Sequence, residues 1–318
     1  MAPPTVFRSR SGPVALLLAA LGALLPLACG GGAGPADLGP RPLLWRVEGP
    51  GRTAPAWLLG TMHVADPQVL RILELVAPLL EETELLAVEL PEDEGARSRL
   101  DARSRLPSEE ALEDLLPPEL TTRLRAFLQE EGIPWEAAAD REPWYVLLLL
   151  SRLDLRSFPA GPPLDLQLRE RARARGIPAL GIETWEEQIQ ALIPPGRDAQ
   201  IHLLRRTLER LEQNRREGRH PTRELLEVFL AGDEAALWEQ ARSEVDPADP
   251  VEAAWFEALH GERNRRMAER VDRLLRERSD QGLLFAFGAL HFAGPEGLPR
   301  LLARRGWTVQ RLPAAAEH

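Results

Sequence analysis

An α/β fold is predicted, with a central sheet built from strand-helix-strand units at the two ends of the chain and a large, mainly helical insert between them. Three observations predict it. Short strand-like segments, bounded by turn residues, occur near 43–47, 56–59, 85–90, 178–182, 283–287 and 307–312. Leu-, Arg- and Glu-rich stretches punctuated by proline read as helices over most of the chain between them. A strand, a Gly-x-x-His turn, a proline-started helix and a further strand occur at 56–90 and again at 283–312. Strands separated by helices favour an α/β sheet.

An address label lies near the N-terminus. Arg8 and Arg10 precede an almost wholly apolar run over 14–28, followed by the only cysteine, Cys29. This order is that of a secretory signal. The run is shorter than the roughly 20 residues of a spanning helix. Cys29, followed by Gly30-Gly31-Gly32, resembles a bacterial lipoprotein cleavage box and is the expected lipidation site. Pro26 departs from that pattern, and ordinary cleavage after an alanine is the alternative. The expected organisation is a signal peptide over 1–28, a Gly/Pro/Ala-rich tether over 29–42, a folded domain over 43–312 with its helical insert at about 92–282, and a tail over 313–318. An exported protein, lipid-anchored in a membrane and facing the periplasm or cell exterior, follows from this reading. A single cysteine forms no intramolecular disulfide. All 39 basic residues are Arg, against 49 acidic residues, for a formal net charge of −10. That balance leaves no electrostatic footprint for nucleic acid.

Within the folded part, segments 43–47 and 56–59 are partner strands joined through Gly49-Pro50-Gly51. Asp66 as N-cap and Pro67 at the first position start a helix that runs to about Glu82. Segment 85–90 is a buried strand. Residues 92–176 are mainly helical, and Pro143-Trp144 opens their most apolar, core helix. Segment 178–182 is a strand. Helical pattern resumes over 184–277, broken at Pro194-Pro195, 218–221, Gly232 and 246–250. A strand over 283–287, a helix over 295–305 ending before Gly306, and a strand over 307–312 close the chain.

Four predicted strands each deliver one candidate group just beyond the carboxyl end: His63, Glu89, Glu183 and His291. In open α/β sheets that edge is where ligands bind. Gly60 and Gly288 are structural turn residues, since a chain leaving a buried strand close to other backbone favours a residue without Cβ. Two imidazoles and two carboxylates suit a borderline divalent metal such as zinc, manganese or cobalt. Such a metal lowers the pKa of bound water toward ~7, and a carboxylate outside the metal shell then serves as general base. Taken singly, His63 reads as a hydrogen-bonded structural residue, and Glu89 and Glu183 as helix caps or arginine partners. The duplicated turn is what joins them into one proposed site. His260, Arg263, Asn264 and Met267 share a helix face. Arg263 and Asn264 suit a substrate carbonyl or the orientation of a metal ligand, unless they belong to a solvated face.

These residues resemble the TraB/GumN (Tiki-like) family. The resemblance rests on Leu44-Trp45-Arg46-Val47, Leu59-Gly60-Thr61-Met62-His63-Val64, Val88-Glu89-Leu90, Pro143-Trp144, Leu164-Asp165, Gly181-Ile182-Glu183-Thr184 with Glu187-Gln188, Arg263-Asn264, Gly288-Ala289-Leu290-His291, Gly294 to Leu298 and Arg305-Gly306-Trp307. It implies an α/β fold with paired Gly-x-x-His motifs and an acid at a metal site. Tiki members are membrane-tethered metalloproteases using manganese or cobalt; other relatives are linked to pheromone shutdown, erythromycin esterase and haem binding. By position the resemblance makes His63, His291 and Glu89 the metal centre, and Glu89, Glu183, Arg263 and Asn264 the catalytic set. The expected function is metal-dependent hydrolysis of a peptide or protein at the cell envelope. The alternatives are a non-catalytic envelope lipoprotein that binds a peptide signal or haem, or a purely structural one.

Overall fold

The computed structural model describes residues 39–313. The expected signal peptide, Cys29, most of the tether and most of the tail lie outside the described residues. Strand β1 (Leu44–Glu48) pairs antiparallel with β2 (Ala56–Thr61), as the turn between them predicts. Asp66 caps a short helix, Pro67–Leu70, through its side chain and the Gln68 N–H. Helix α1 (Ile72–Glu81) continues it after Arg71, and β3 (Leu85–Val88) follows.

The insert then contributes α2 (Pro118–Glu130), α3 (Pro143–Ser151), α4 (Leu164–Ala174), the short strand β4 (Ala179–Gly181), α5 (Trp185–Leu192) and α6 (Arg197–Glu217). It ends with α7 (Pro221–Ala231), α8 (Glu234–Ser243), α9 (Pro250–Glu257) and α10 (Arg263–Glu277). Its breaks fall where glycine and proline predict. Gly218 and Gly232 cap α6 and α7 in the left-handed conformation that glycine adopts without strain. A wide π-type turn, Ala258–Glu262, joins α9 to α10. Strand β5 (Leu283–Gly288), α11 (Leu298–Arg304) and β6 (Thr308–Arg311) complete the chain. The last helix begins at Leu298 rather than Pro295. Gly294, at a φ of +77° against the Trp238 ring, turns the chain first.

The six strands form one mixed sheet in the order β4-β3-β5-β2-β1-β6. β4, β3, β5 and β2 run parallel, so their carboxyl ends share one edge. β1 is antiparallel to both β2 and β6. The two strand-helix-strand units are therefore both parallel crossovers, but they interleave: β5 lies between β2 and β3. Every residue of β2, β3 and β5 is buried. That is the signature of parallel strands covered on both faces, and it explains their unbroken apolar runs. A second apolar core lies within the insert, around Leu124, Leu147, Leu150 and Leu203. Among the described residues no helix is long and apolar enough to cross a membrane.

Gly282 fastens β3 against β5. Its carbonyl accepts from Glu84 N–H at 2.8 Å and Leu85 N–H at 3.2 Å. A Cβ at this position would lie 1.7 Å from the Glu82 carbonyl oxygen. Overpacking of this kind costs about 1–3 kcal/mol, and more where backbone is the obstacle. Gly282→Ala should lower unfolding stability by about 3 kcal/mol in urea titrations. A variant as stable as the parent would show that this strand entry has room to move.

Candidate active site

Backbone register assembles the centre. Pairing of β3 with β4 continues past the strands, with Ile182 N–H donating to Val88 O and Glu183 N–H to Glu89 O. The two acids thus leave adjacent strands side by side. Thr184 and Glu187 then close a capping box that starts α5 and carries Gln188 back toward Glu89. On the other side, β2 and β5 pair with Thr61 opposite Gly288. The two Gly-x-x-His segments therefore leave neighbouring strands almost level. Gly60 and Gly288 are strand residues rather than turn residues. Gly288 has a φ of −51°, and Gly60 is not among the glycines with positive φ. Gly60 lacks a Cβ because one would stand 2.9 Å from Leu43 Cβ and 3.3 Å from Ala289 Cα. Gly288 presents its backbone N–H to Glu89 Oε1 at 2.6 Å.

Arg263 sits at the centre, 1% exposed. Its Nε donates to both oxygens of Glu183 at 3.1 Å, and its Nη2 donates to Glu183 Oε2 at 2.6 Å and Glu89 Oε2 at 2.9 Å. Burial alone would lower its pKa, but the two carboxylates raise it, so the guanidinium stays charged. Burial alone would likewise raise Glu89. The adjacent His291, Arg263 and His63 outweigh it and hold this carboxylate well below the usual range. Glu89 Oε2 also accepts from Gln188 Nε2 at 3.3 Å. Glu183, 2% exposed, gives both its oxygens to Arg263.

The imidazoles approach Glu89 from two sides. His63 Nε2 is 3.9 Å from Oε1, and His291 Nε2 is 3.7 Å from Oε2. Each ring is held through its other nitrogen. His63 Nδ1 faces Asp165 Oδ1 at 3.0 Å. His291 Nδ1 faces Asn264 Oδ1 at 2.5 Å. The Asn264 amide donates to the carbonyls of Glu296 at 2.8 Å and His291 at 3.3 Å. Two carbonyl acceptors require the NH₂ group there, so Oδ1 must face the ring and His291 carries its proton on Nδ1. Its Nε2, buried and without a hydrogen-bond partner, presents a lone pair toward Glu89. His260 props the same turn from behind: its Nε2 donates to Leu290 O at 2.8 Å, and its ring packs on Trp238 and Phe256.

A histidine anchored at Nδ1 by an oxygen, with Nε2 aimed at a carboxylate, has the donor chemistry of a metal ligand. His63, His291 and Glu89 supply such donors, but among the described residues no group of three or more His, Cys, Asp or Glu side chains is placed to hold a metal ion. Of the expected residues, the structure brings His63, Glu89, His291, Arg263, Asn264 and Glu183 into one cluster around Glu89. Asp165, Gln188 and His260 were missed as functional. Asp165 and Gln188 lie in segments already notable for their motifs, and only tertiary contact reveals their partners. Two cavities flank His63. One is apolar, lined by Met62, Leu155, Leu225, Phe229 and Leu237. The other is more polar, lined by Glu89, Asp165, Arg169 and Gln188.

The chain is similar in sequence to known proteins. The model of the TraB/PrgY/gumN family matches residues 43–311. The chain is 27% identical over 315 residues to Metalloprotease TIKI1 of Danio rerio, covering 85% of this chain and 63% of that protein. It is 27% identical to Metalloprotease TIKI2 of Danio rerio over 315 residues, covering 85% and 61%. A Metalloprotease TIKI homolog of Amphimedon queenslandica is 26% identical over 314 residues, covering 85% and 61%. The chain thus spans about six-tenths of the length of these curated relatives. No solved structure matches significantly.

The buried charges make stability depend on pH. Burial, with His291 and Arg263 nearby, pushes the His260 imidazole from 6.5 down to about 4. The fold holds it neutral while the unfolded chain takes up a proton below pH 6.5. Stability is therefore full above pH 6.5 and falls by about 3 kcal/mol as pH drops to 4. Glu89 acts in the same direction lower down: its contribution is present above pH 4.5 and is lost as pH falls further. Urea unfolding of metal-free protein should show this slope, and His260→Gln should flatten it between pH 6.5 and 4. An unchanged slope in the variant would assign the acid sensitivity elsewhere.

Proposed function

The chain belongs to the TraB/PrgY/gumN family, and from that premise we propose that it is a metal-dependent hydrolase that cleaves peptide bonds. One observation carries the reading. His291 Nε2 is an orphaned, buried lone pair, fixed in that tautomer by Asn264 and directed at an ionised carboxylate. A buried nitrogen acceptor without a donor is costly unless a cation or proton is meant to occupy it. The neighbouring charges favour a cation, since two carboxylates face a single guanidinium. The relatives named as metalloproteases support the same class.

His63 and His291 would hold the metal, with Glu89 beside it. Were a divalent ion bound there, it would supply an activated water at neutral pH and polarise the carbonyl under attack. Asp165 and Asn264 fix the rings and raise their basicity. Glu89, kept ionised, is the group placed to take a proton from a water lying between the imidazoles. Glu183 holds Arg263 and thereby Glu89, which makes it a positioning residue rather than a proton carrier. Two small cavities, one apolar and one polar, border His63. Export and a lipid anchor on Cys29 belong to the same proposal and rest on the order of residues 8–32. The carriers of chemistry here are imidazole and carboxylate, and the reading extends to manganese, cobalt or zinc alike.

Purified protein should bind one of these metals in a titration calorimeter, and His63→Ala and His291→Ala should each reduce affinity at least about 100-fold. Wild-type affinity in both variants would sink the metal centre. Cleavage of a peptide library in the presence of manganese, cobalt or zinc should fall about 10²- to 10⁴-fold in Glu89→Gln. Metal binding without cleavage of any peptide would favour the binding-protein alternative. Labelling of cells with radioactive palmitate should mark the wild-type chain and spare Cys29→Ser; equal labelling would remove the anchor.

A further inference from the structure

The polar cavity beside His63 contains a cation that the proposed chemistry leaves unused. Arg169 lies on α4 four residues after Asp165, so the two share one helix face. It lines the polar cavity together with His63 and Glu89, and also the adjoining cavity beyond Val88. Its Nη2 donates to the Leu90 carbonyl at 2.7 Å, while its Nε is buried without a hydrogen-bond partner. The other arginines of this helix surface are paired: Arg171 with Glu74, and Arg173 with Glu92 and Glu170. Arg169 has no ion pair among the described residues. The acids of its own cavity have donors already, Glu89 from Arg263 and Asp165 from His63. A guanidinium offers five N–H donors in a planar fork shaped for a carboxylate. One is visibly used here, and a partly buried charge with an orphaned donor calls for a partner.

We infer that Arg169 is the anchor for a carboxylate on the substrate. The inference rests on the peptide-hydrolase reading above and adds a substrate class to it. Asp165 marks the position of His63, and Arg169 stands one helical turn away, about 6 Å. An extended peptide covers that distance in about two residues. The anchored carboxylate therefore belongs to one of the first few residues on one side of the bond under attack. A second cavity that borders His63 is lined by apolar side chains, Met62, Leu155 and Phe229 among them. The carboxylate is either the peptide's own C-terminus or an acidic side chain.

Three fluorescent pools of short peptides separate these sources. All are rich in apolar residues and free of Asp and Glu at the varied positions. The first ends in a free carboxylate, the second in an amide, and the third is amidated but carries one fixed Glu. Binding to the whole protein is read by fluorescence anisotropy, which needs no turnover. The wild type should bind the first or third pool at least about tenfold more tightly than the second. Preference for the first assigns the C-terminus, and preference for the third assigns a side chain. Arg169→Met should abolish the preference. Arg169→Lys, which keeps the charge without the fork, should keep part of it. Thermal unfolding checks that each variant folds, and if Arg169→Met does not, Arg169→Gln takes its place. Equal binding of all pools by the wild type, no binding of any pool, or an unchanged preference in a folded neutral variant overturns the assignment. Cleavage without carboxylate preference would remove Arg169 and leave the hydrolase standing. Preference without cleavage would do the reverse.

Discussion

The buried bridge from Arg263 to Glu89 and Glu183 is the interaction on which the centre depends. Two carboxylates taken out of water on adjacent strands would repel one another and protonate. One guanidinium, bonded to both, keeps them charged and fixes where each oxygen points. Glu89 and Glu183 share the Nη2 of Arg263, and the oxygens of Glu89 lie 3.9 Å from His63 Nε2 and 3.7 Å from His291 Nε2. The bridge also ties together three distant parts of the sequence, the ends of β3 and β4 and the start of α10. Losing one partner of such a buried pair typically costs about 3–5 kcal/mol, since the remaining charge has nowhere to go.

The sheet and the insert divide the labour. The sheet edge supplies His63, Glu89, Glu183 and His291, the imidazoles and carboxylates of the cluster. The insert supplies their holders: Asp165 on α4, Gln188 on α5, His260 in the π-type turn, and Arg263 with Asn264 at the head of α10. Wide turns of this kind often mark functional positions in helices. Here the turn sets His260 against Leu290 O while Asn264, one turn on, reaches the ring of His291. A histidine without such a holder would rotate, and its lone pair would have no fixed direction.

Much of this was legible in the sequence because burial and periodicity leave local marks. The inner strands read as continuous apolar runs since both of their faces are covered. The helix breaks read as glycine and proline because left-handed caps and missing N–H groups demand them. His63, Glu89, Glu183 and His291 were visible because a polar residue just past a buried strand is conspicuous. What was not legible is partnership. Asp165 and Gln188 look like ordinary helix-surface residues until the insert folds over the sheet. Gly282 carries no left-handed φ to announce it, only the closeness of Glu82. The two glycines of the repeated motif lie in strands, where Gly60 leaves space that a Cβ would close against Leu43 and Ala289 and Gly288 gives its N–H to Glu89. The start of the last helix was read early because Pro295 resembles a first helical residue, while Gly294 and Gly297 hold that segment as a turn against Asn264.

The strand order has a consequence for how the molecule comes into being on the ribosome. β2 and β3 are not neighbours; β2 has its parallel partner in β5, and β3, which also pairs with β4, is joined to β2 only through β5, which begins at Leu283. About two hundred residues of insert must be synthesised between β3 and that partner. Until then the N-terminal strands have an open seam, and Glu89 lacks the Gly288 N–H, Arg263 and His291 that define it. The centre is therefore the last thing this chain makes. A polypeptide that ends before Leu283 carries His63, Glu89 and Glu183 without the Gly288 N–H and the His291 ring that complete the cluster.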